Sequence, residues 1–140
     1  MIICTHYIVI IKYNFSVDLA DFILQSSNSS YWRSIAVSTT SNDAVLVYVS
    51  INSEWHALPF NNYWNTGTYF NEFYYSIYST STILLYIRNW GGSAPYYPMS
   101  GLLNYRVYVI QGSSTAKAVV PESLNQMNMF EVERYYRLKN

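Results

Sequence analysis

Cysteine, histidine, glycine, proline and charged residues are all scarce in this chain of 140 residues. The single cysteine, Cys4, has no partner for an internal disulfide, and one cysteine with two histidines offers no metal-ligand spacing. Charged residues make up 11% of the chain, and eight basic side chains balance eight acidic ones. Because neutralising phosphates requires clustered Lys and Arg, this composition argues against nucleic acid as a partner.

Long apolar runs are missing as well. Residues 1–12 are mostly apolar, but the run is shorter than the ~20 residues that a membrane span needs. It also lacks the basic start and the small-residue cleavage site of a signal peptide. We therefore expect no membrane-spanning segment, and we interpret residues 1–12 as a strand, with a signal remnant as the alternative.

Length and composition favour one folded unit. Hydrophobic residues make up 51% of the chain, which is enough for a core, and no internal repeat or linker divides it. We expect a single domain over residues 1–140. A formal net charge of zero gives little repulsion between copies, so self-association would be unsurprising.

What the chain does have is tyrosine, sixteen in all, within an aromatic content of 19%. Apolar and polar residues alternate around these rings, a pattern typical of β-strands with one dry face. The pattern predicts an all-β fold, a sandwich of two antiparallel sheets with seven or eight strands. The predicted strands are 7–15, 31–37, 44–49, 55–60, 69–78, 82–88 and 102–110.

Some segments carry more specific expectations. Residues 16–24 could form a helical turn or a strand, and the run 44–49 is apolar on both faces, as in a strand buried on two sides. Pro59 marks 55–60 as a short edge strand, and 61–68 reads as a polar loop. Strands 69–78 and 82–88 form a plausible hairpin around residues 79–81.

A short C-terminal helix over about residues 123–138 completes the predicted fold. Ser123 and Gln126 have the spacing of a capping box, and basic residues lie at the far end, where the helix dipole favours them. We expect this helix to dock through Met127, Phe130 and Leu138 or their neighbours.

Three segments carry a resemblance: the run Trp55–Pro59 after a Val-rich strand, the run Tyr105–Gly112, and the tail Glu131–Leu138. Together they resemble the C-terminal β-domain of uncharacterised cell-surface or periplasmic proteins of the Bacteroidota, some of them lipoproteins and some with a collagen-like stalk. The resemblance covers about residues 43–140. It implies a non-catalytic module of the cell envelope, extracellular or periplasmic. The chain has no lipobox and no Gly-X-Y repeat, so the resemblance does not extend to an anchor or a trimer.

Catalytic groups are sparse. His6 and His56 are far apart, Cys4 and His6 are two residues apart, and Glu54 with Glu72 is the pair of carboxylates closest to what a glycosidase needs. Phosphate-binding loops and nucleophile elbows are absent from the sequence. We expect no enzyme, no catalytic residue, no metal and no cofactor.

Aromatic residues in two predicted loops are the strongest binding candidates. Tyr63 and Trp64 lie in one loop, and Trp90, Tyr96 and Tyr97 lie in the other, beside several asparagines. Exposed rings flanked by amides suit a protein interface or a carbohydrate, although Trp90 and Tyr97 could instead fold back over the end of the sandwich. We expect a structural or interaction module that contacts a protein partner or itself through an aromatic-rich surface, with tyrosine-bearing strand faces burying area in the contact. Carbohydrate binding is the alternative, and an enzyme is third.

Overall fold

The computed structural model describes residues 9–24, 30–63, 70–90, 101–112 and 128–135, and of residues 63, 70, 90 and 135 it describes the backbone alone. Strands dominate these residues, so the predicted all-β class is confirmed. They are β1 (Ile10–Asp18), β2 (Ile23–Leu24), β3 (Ser30–Ala36), β4 (Ala44–Ile51), β5 (Glu54–Ala57), β6 (Phe60–Tyr63), β7 (Phe70–Ser79), β8 (Thr82–Trp90) and β9 (Leu102–Ile110). A 3-10 turn covers Leu19–Asp21, and one short helix, α1, covers Met129–Tyr135.

The strands form two antiparallel sheets. The four-stranded sheet has the order β1-β9-β4-β5, and the five-stranded sheet has the order β2-β3-β8-β7-β6. The hairpin expected around residues 79–81 is present, with Ser79 opposite Thr82 and a register shift between Ile77 and Ser79. All the sheet neighbours pair antiparallel, as the alternating pattern predicted.

The main core lies between the inner faces of the two sheets. Burying one such aliphatic or aromatic side chain contributes about 1.5–3 kcal/mol. The hydroxyl of Tyr75 links the layers, because it donates to the carbonyl of Val45 at 3.1 Å, and burial raises the pKa of Tyr75. Fully buried members from both sheets include Val47, Val49, Val107, Phe73, Ile83, Leu85 and Ile87.

A second, smaller core lies on the outer face of the four-stranded sheet, under α1. Tyr48 and Tyr108 meet edge to face there, with ring centroids 5.8 Å apart. Met129 and Val132 of α1 pack on this cluster, together with Leu46 and Ile110. The strand predicted over residues 44–49 is therefore buried on both faces, as expected, because the second sheet covers one face and α1 covers the other.

The docking face of α1 differs from the expectation. Phe130 was expected to dock, but its side chain is 65% exposed, while Met129 and Val132 are buried. The reason is the start of the helix: Asn128 Oδ1 accepts from the backbone N–H of Glu131 at 2.9 Å, and Asn128 Nδ2 donates to the Glu131 carboxylate at 3.0 Å. This capping arrangement turns the first and fourth helical residues toward the sheet. Residues 123–127 and 136–138 of the predicted helix, with Met127 and Leu138, lie outside the described residues.

The segment 55–60 was predicted as one edge strand, but the structure divides it between the two sheets. β5 pairs with β4 in the first sheet, and β6 begins at Phe60 and pairs with β7 in the second. Between them the Leu58–Pro59 peptide bond is cis, and the N–H of Leu58 donates to the carbonyl of Val47 at 2.9 Å. The prediction of a polar loop over 61–68 is therefore wrong for residues 61–63. These residues continue the strand that begins with Phe60 opposite Phe73. Residues 64–68 lie outside the described ranges.

The segment 16–24 contains both of the alternatives predicted for it. β1 continues to Asp18, whose side chain accepts from the N–H of Ala20 at 3.0 Å and starts the 3-10 turn before β2.

The connection between β4 and β5 is a two-residue turn. Its residues, Asn52 and Ser53, both have positive φ, at 52° and 65°. Two positive φ values in a two-residue connection are the mark of a type I′ hairpin turn.

Candidate functional site

The loop aromatics predicted as a binding site are described only in part. Tyr63 ends β6 opposite Phe70, and Trp90 ends β8 opposite the same Phe70. The backbone register therefore brings Tyr63 and Trp90 to either side of Phe70 at one end of the five-stranded sheet. Trp64, Tyr96 and Tyr97 lie outside the described residues.

A row of apolar side chains crosses the outer face of the same sheet. Ile23 of β2 lies opposite Trp32 of β3, Trp32 lies opposite Tyr86 of β8, and Tyr86 lies opposite Tyr74 of β7. Directly opposed residues share one face of a sheet, so these four form a continuous line across four strands. Ile23 is 52% exposed, and the three rings are half-buried.

The two tyrosines of the row stack on one another. The ring centroids of Tyr74 and Tyr86 are 4.6 Å apart, and their planes are inclined by 2°. The Tyr74 hydroxyl lies 3.0 Å from Ser30 Oγ and accepts from Arg88 Nη2 at 3.4 Å, and the Tyr86 hydroxyl accepts from Ser76 Oγ at 3.4 Å. The two rings are thus fixed in place by each other and by the contacts of their hydroxyls.

An open groove of about 370 Å³ runs beside this row. Tyr78 stands at the groove with 73% of its side chain exposed. The groove is lined by Trp32, Ser34, Tyr78, Thr82, Leu84 and Tyr86. We name the combined surface the aromatic face, consisting of Ile23, Trp32, Tyr74, Tyr78, Leu84 and Tyr86.

Charge is balanced on this face. Along β2, β3, β7 and β8, the described outward-facing charged residues are Glu72 and Arg88, and they lie opposite one another on β7 and β8. The Arg88 guanidinium also lies 5.4 Å from the centre of the Tyr74 ring, within range of a cation–π contact. A surface of rings with a neutral charge balance and hydroxyls already in contact is suited to contact with another apolar surface.

The two candidate carboxylates, both in the described part of the chain, are not brought together. Glu54 lies on β5 of the four-stranded sheet, and Glu72 lies on β7 of the five-stranded sheet. The His56 ring stacks on Phe60 with centroids 3.9 Å apart, and its Nε2 is 3.8 Å from a carboxylate oxygen of Glu54, whose side chain is 77% exposed. Cys4 and His6 lie outside the described residues. In the described ranges, no group of three or more His, Cys, Asp or Glu side chains could hold a metal ion.

The residues of the aromatic face were not among the predicted binding residues, which were all taken from loops. Trp32, Tyr74 and Tyr86 all lie in segments that were predicted as strands, far apart along the chain. Each of the three lies at an outward-facing position in its strand, and the alternation of apolar and polar residues was enough to identify that position. What the sequence did not supply was the register that aligns them.

Among the described helical residues, none forms a helix long and apolar enough to cross a membrane. No protein-family model, no curated protein and no solved structure matches this chain. The resemblance to the Bacteroidota β-domains therefore stays a prediction.

Proposed function

We propose that this protein is a non-enzymatic interaction module that associates with a second copy of itself through the aromatic face. The observation that carries the proposal is the position of Tyr78, an exposed ring that stands directly beside a groove lined by Trp32 and Leu84. Exposed apolar surface of this kind, on a sheet face with neutral charge balance, marks contact sites in soluble proteins.

The arrangement is self-complementary. In a two-fold dimer the same patch meets itself, so a projection on one copy must fit a recess on the same patch of the other. Tyr78 is the projection, and the adjoining groove of about 370 Å³ is the recess. A ring fits such a space, because a closed cavity of about 150 Å³ already holds a benzene molecule. The zero net charge of the chain adds no long-range repulsion between copies.

The geometry of the rings favours protein contact over sugar contact at this face. A sugar stacks its C–H groups on a free flat side of an aromatic ring, and the stacking of Tyr74 on Tyr86, with ring centroids 4.6 Å apart, covers one flat side of each ring. Their hydroxyls already contact Ser30, Ser76 and Arg88. Tyrosines whose hydroxyls are already in contact with the protein offer apolar contact area and few unused hydrogen-bonding groups.

We place this module in the bacterial cell envelope, on the extracellular or periplasmic side. Support for this location comes from the resemblance of the Trp55–Pro59 and Tyr105–Gly112 segments to Bacteroidota envelope domains. Immunoblots of cytoplasmic, periplasmic and surface fractions of the source bacterium test it. Recovery in the cytoplasmic fraction alone would contradict it.

Concentration-dependent NMR tests the proposed interface directly. Raising the protein concentration should shift or broaden the amide signals of β3 and of the β7–β8 hairpin, while those of β1 and β5 stay constant. Spectra that do not change with concentration, or changes confined to the four-stranded sheet, would contradict association through the aromatic face.

Carbohydrate binding by the loop aromatics is the second candidate. The observation that favours it is the register, which brings the backbones of Tyr63 and Trp90 to either side of Phe70. The site would comprise Tyr63, Trp64, Trp90, Tyr96 and Tyr97. A glycan array with the wild type and a Trp90→Ala variant tests it: binding that this variant loses supports the site, and a blank array across plant, host and bacterial glycans contradicts it.

A further inference from the structure

The four edge strands of the two described sheets differ in length. β2 has two residues, and β5 and β6 have four each, whereas β1 has nine and pairs with β9 along its whole length without a register shift. Short edge strands offer little backbone for pairing, which is one way in which sheet proteins avoid adding foreign strands. β1 lacks that protection, and it contains no proline. We propose that β1 is a strand-addition site, which binds an extended segment of a partner protein as a fifth strand of the four-stranded sheet.

The hydrogen bonds at the two ends of β1 show which of its peptide groups face outward. The carbonyl of Val9 accepts from the N–H of Gln111 at 2.8 Å, and the N–H of Leu19 donates to the carbonyl of Gly101 at 2.9 Å. Bonded and unbonded residues alternate in an antiparallel pair, so the odd-numbered residues of β1 bond to β9. The N–H and C=O groups of the even-numbered residues point away from β9, toward the edge of the sheet.

Asn14 and Ser16 hold the outward peptide groups at the centre of β1. Within the described ranges, no group bonds to the N–H or C=O of either residue. Their side chains are turned onto β9, because Asn14 Oδ1 accepts from Arg106 Nε at 2.8 Å and Ser16 Oγ donates to Asn104 Oδ1 at 2.6 Å. Neither side chain therefore covers the edge. An added antiparallel strand can form two backbone hydrogen bonds at each of the two residues.

The inward-facing residues of β1 determine which side chains fit beside it. Tyr13 and Phe15 stack with ring centroids 6.2 Å apart, and both are half-buried against the main core, to which Val17 also belongs. A strand added beside β1 places every second side chain next to these three, so apolar residues there extend the core. The remaining side chains lie beside Asn14 and Ser16 on the outer face, where polar residues fit.

Asp18 determines the charge at one end of the partner segment. Its side chain is exposed, and its Oδ1 accepts from the N–H of Ala20 at 3.0 Å. In the described part of the chain, no cation pairs with this carboxylate. A carboxylate can accept more than one bond, and a directly opposed cation on the next strand is favourable. The partner that fits is a segment of alternating apolar and polar residues that begins with Lys or Arg and runs antiparallel to β1.

Hydrogen exchange of the protein with a blocked synthetic peptide, Lys-Val-Thr-Val-Thr-Val, tests the proposal by NMR. The two Thr residues lie opposite Ser16 and Asn14 in the proposed register. At saturation the peptide should slow exchange of the Asn14 and Ser16 amides at least about tenfold, while those of Tyr13 and Phe15, already bonded to β9, change little. Asn14 and Ser16 amides that stay unprotected would overturn the proposal. Amides already protected in the free protein would also overturn it, because the protein's own chain or a second copy would then cover the edge.

Three further peptides separate backbone pairing from composition. N-methylation of both Thr residues removes the N–H groups that face β1 and should weaken binding at least about tenfold. N-methylation of the last two Val residues, whose N–H groups face away from β1, should weaken it much less. Lys-Val-Val-Thr-Thr-Val has the same composition without the alternation and should bind at least about tenfold more weakly. Equal binding of all the peptides would overturn the proposal.

Matched variants of β1 locate the site. Ser16→Pro removes an outward N–H without removing a bond to β9 and should abolish peptide binding, whereas Ser16→Ala loses the same hydroxyl, keeps the N–H and should bind as the wild type does. Asp18→Asn keeps an acceptor for the N–H of Ala20 but removes the charge, and it should weaken binding about threefold. Peptide binding that Ser16→Pro retains would overturn the assignment to β1.

Two features of this design keep its outcomes separate. The exchange measurement uses the unaltered protein, so it decides the proposal even where Ser16→Pro does not fold. Tyr78→Ser, on the other sheet, should leave peptide affinity unchanged while weakening self-association, so strand addition and self-association fail separately. Peptide binding that Tyr78→Ser abolishes and Ser16→Pro leaves intact would place the peptide on the aromatic face and overturn strand addition at β1.

Discussion

Tyr74 and Tyr86 stack face to face across β7 and β8, with ring centroids 4.6 Å apart. A cross-strand aromatic pair contributes about 0.5–1.5 kcal/mol beyond the area that it buries. The pair also fixes the orientation of two rings in the aromatic face, through which we propose that the protein associates with itself. On that proposal, stability and function depend on the same two side chains.

The hydroxyl of Tyr74 supplies the first prediction. It lies 3.0 Å from Ser30 Oγ, and Ser30 is completely buried. Tyr74→Phe removes this contact and the longer one from Arg88, and it should therefore lower the free energy of unfolding by about 1 kcal/mol. Urea denaturation measures this, with Tyr78→Phe as control, because the Tyr78 side chain is 73% exposed. An equal effect of both substitutions would contradict the assigned role of the Tyr74 hydroxyl.

Gly112 supplies the second prediction. A Cβ at this position would lie 1.8 Å from the backbone oxygen of Asn42, a contact that no side-chain movement relieves. The N–H of Gly112 also donates to Asp43 Oδ1 at 3.1 Å. Gly112→Ala should destabilise the protein by about 3 kcal/mol or more, at the upper end of the range for overpacked sites.

The control for this variant is Gly101→Ala. Gly101 has φ of 105°, but a Cβ added there would meet no atom within 4 Å, so its substitution strains the backbone without a clash. We expect a loss of about 1–2 kcal/mol there. Thermal unfolding of the two variants should rank Gly112→Ala as the less stable, and the reverse order would contradict the packing described at Asn42.

The turn between β4 and β5 supplies the third prediction. Ser53 has φ of 65°, a backbone conformation that is sterically unfavourable for residues with a side chain and accessible to glycine without strain. Ser53→Gly should raise the free energy of unfolding by about 0.5–1 kcal/mol, since type I′ turns prefer glycine at this position. Ser34→Gly in the middle of β3 is the matched control and should lower it by about 0.5–1 kcal/mol. Urea denaturation distinguishes the two, and destabilisation by Ser53→Gly would contradict the turn assignment.

Glu133 supplies a prediction about pH. Partial burial raises the pKa of this carboxyl, but the hydrogen bonds from Tyr108 and Lys12 and the charges of Lys12 and Arg106 outweigh burial and hold the pKa below its usual value of 4.5. A carboxyl with a depressed folded-state pKa stabilises the fold above its unfolded pKa, and this stabilisation is lost as pH falls through the folded pKa. The docking of α1 should therefore weaken in acid.

Glu133→Gln tests this dependence. At neutral pH the variant should unfold more easily than the wild type, and the difference should shrink as the pH falls below 4.5. Urea denaturation of both proteins over a pH series measures it. A difference that stays constant across the series would mean that the charge of Glu133 does not hold the helix.

The sequence predicted most of the long strands because apolar and polar residues alternate along them, and it predicted β4 because its apolar run suits a strand buried on both faces. The hairpin of β7 and β8 was predictable for the same reason, since two alternating runs enclose a short Ser/Thr turn. The switch between sheets at Leu58–Pro59 was not, because proline equally suits an edge strand and a corner. The docking face of the helix was not predicted correctly because two residue pairs have the spacing of a helix cap. Ser123 and Gln126 were predicted as the cap, but Asn128 and Glu131 form it in the structure.

The candidate site was less predictable than the fold. The pairing of Trp32 with Tyr86 depends on register, which is set by contacts between strands far apart in the chain. A groove on the four-stranded sheet, lined by Trp55, Asn14 and Arg106 among others, likewise joins three strands from different parts of the sequence. Local pattern shows which residues face outward but not which of them meet.

Sedimentation equilibrium over a wide concentration range tests self-association through the aromatic face most directly. The wild type should move from its monomer mass of 16.3 kDa toward twice that mass as its concentration rises. Tyr78→Ser should weaken the dimer at least about tenfold, while Phe130→Ser, an equivalent loss of an exposed ring on α1, should leave it intact. A wild type that stays monomeric throughout, or a dimer that Tyr78→Ser does not weaken, would contradict the account.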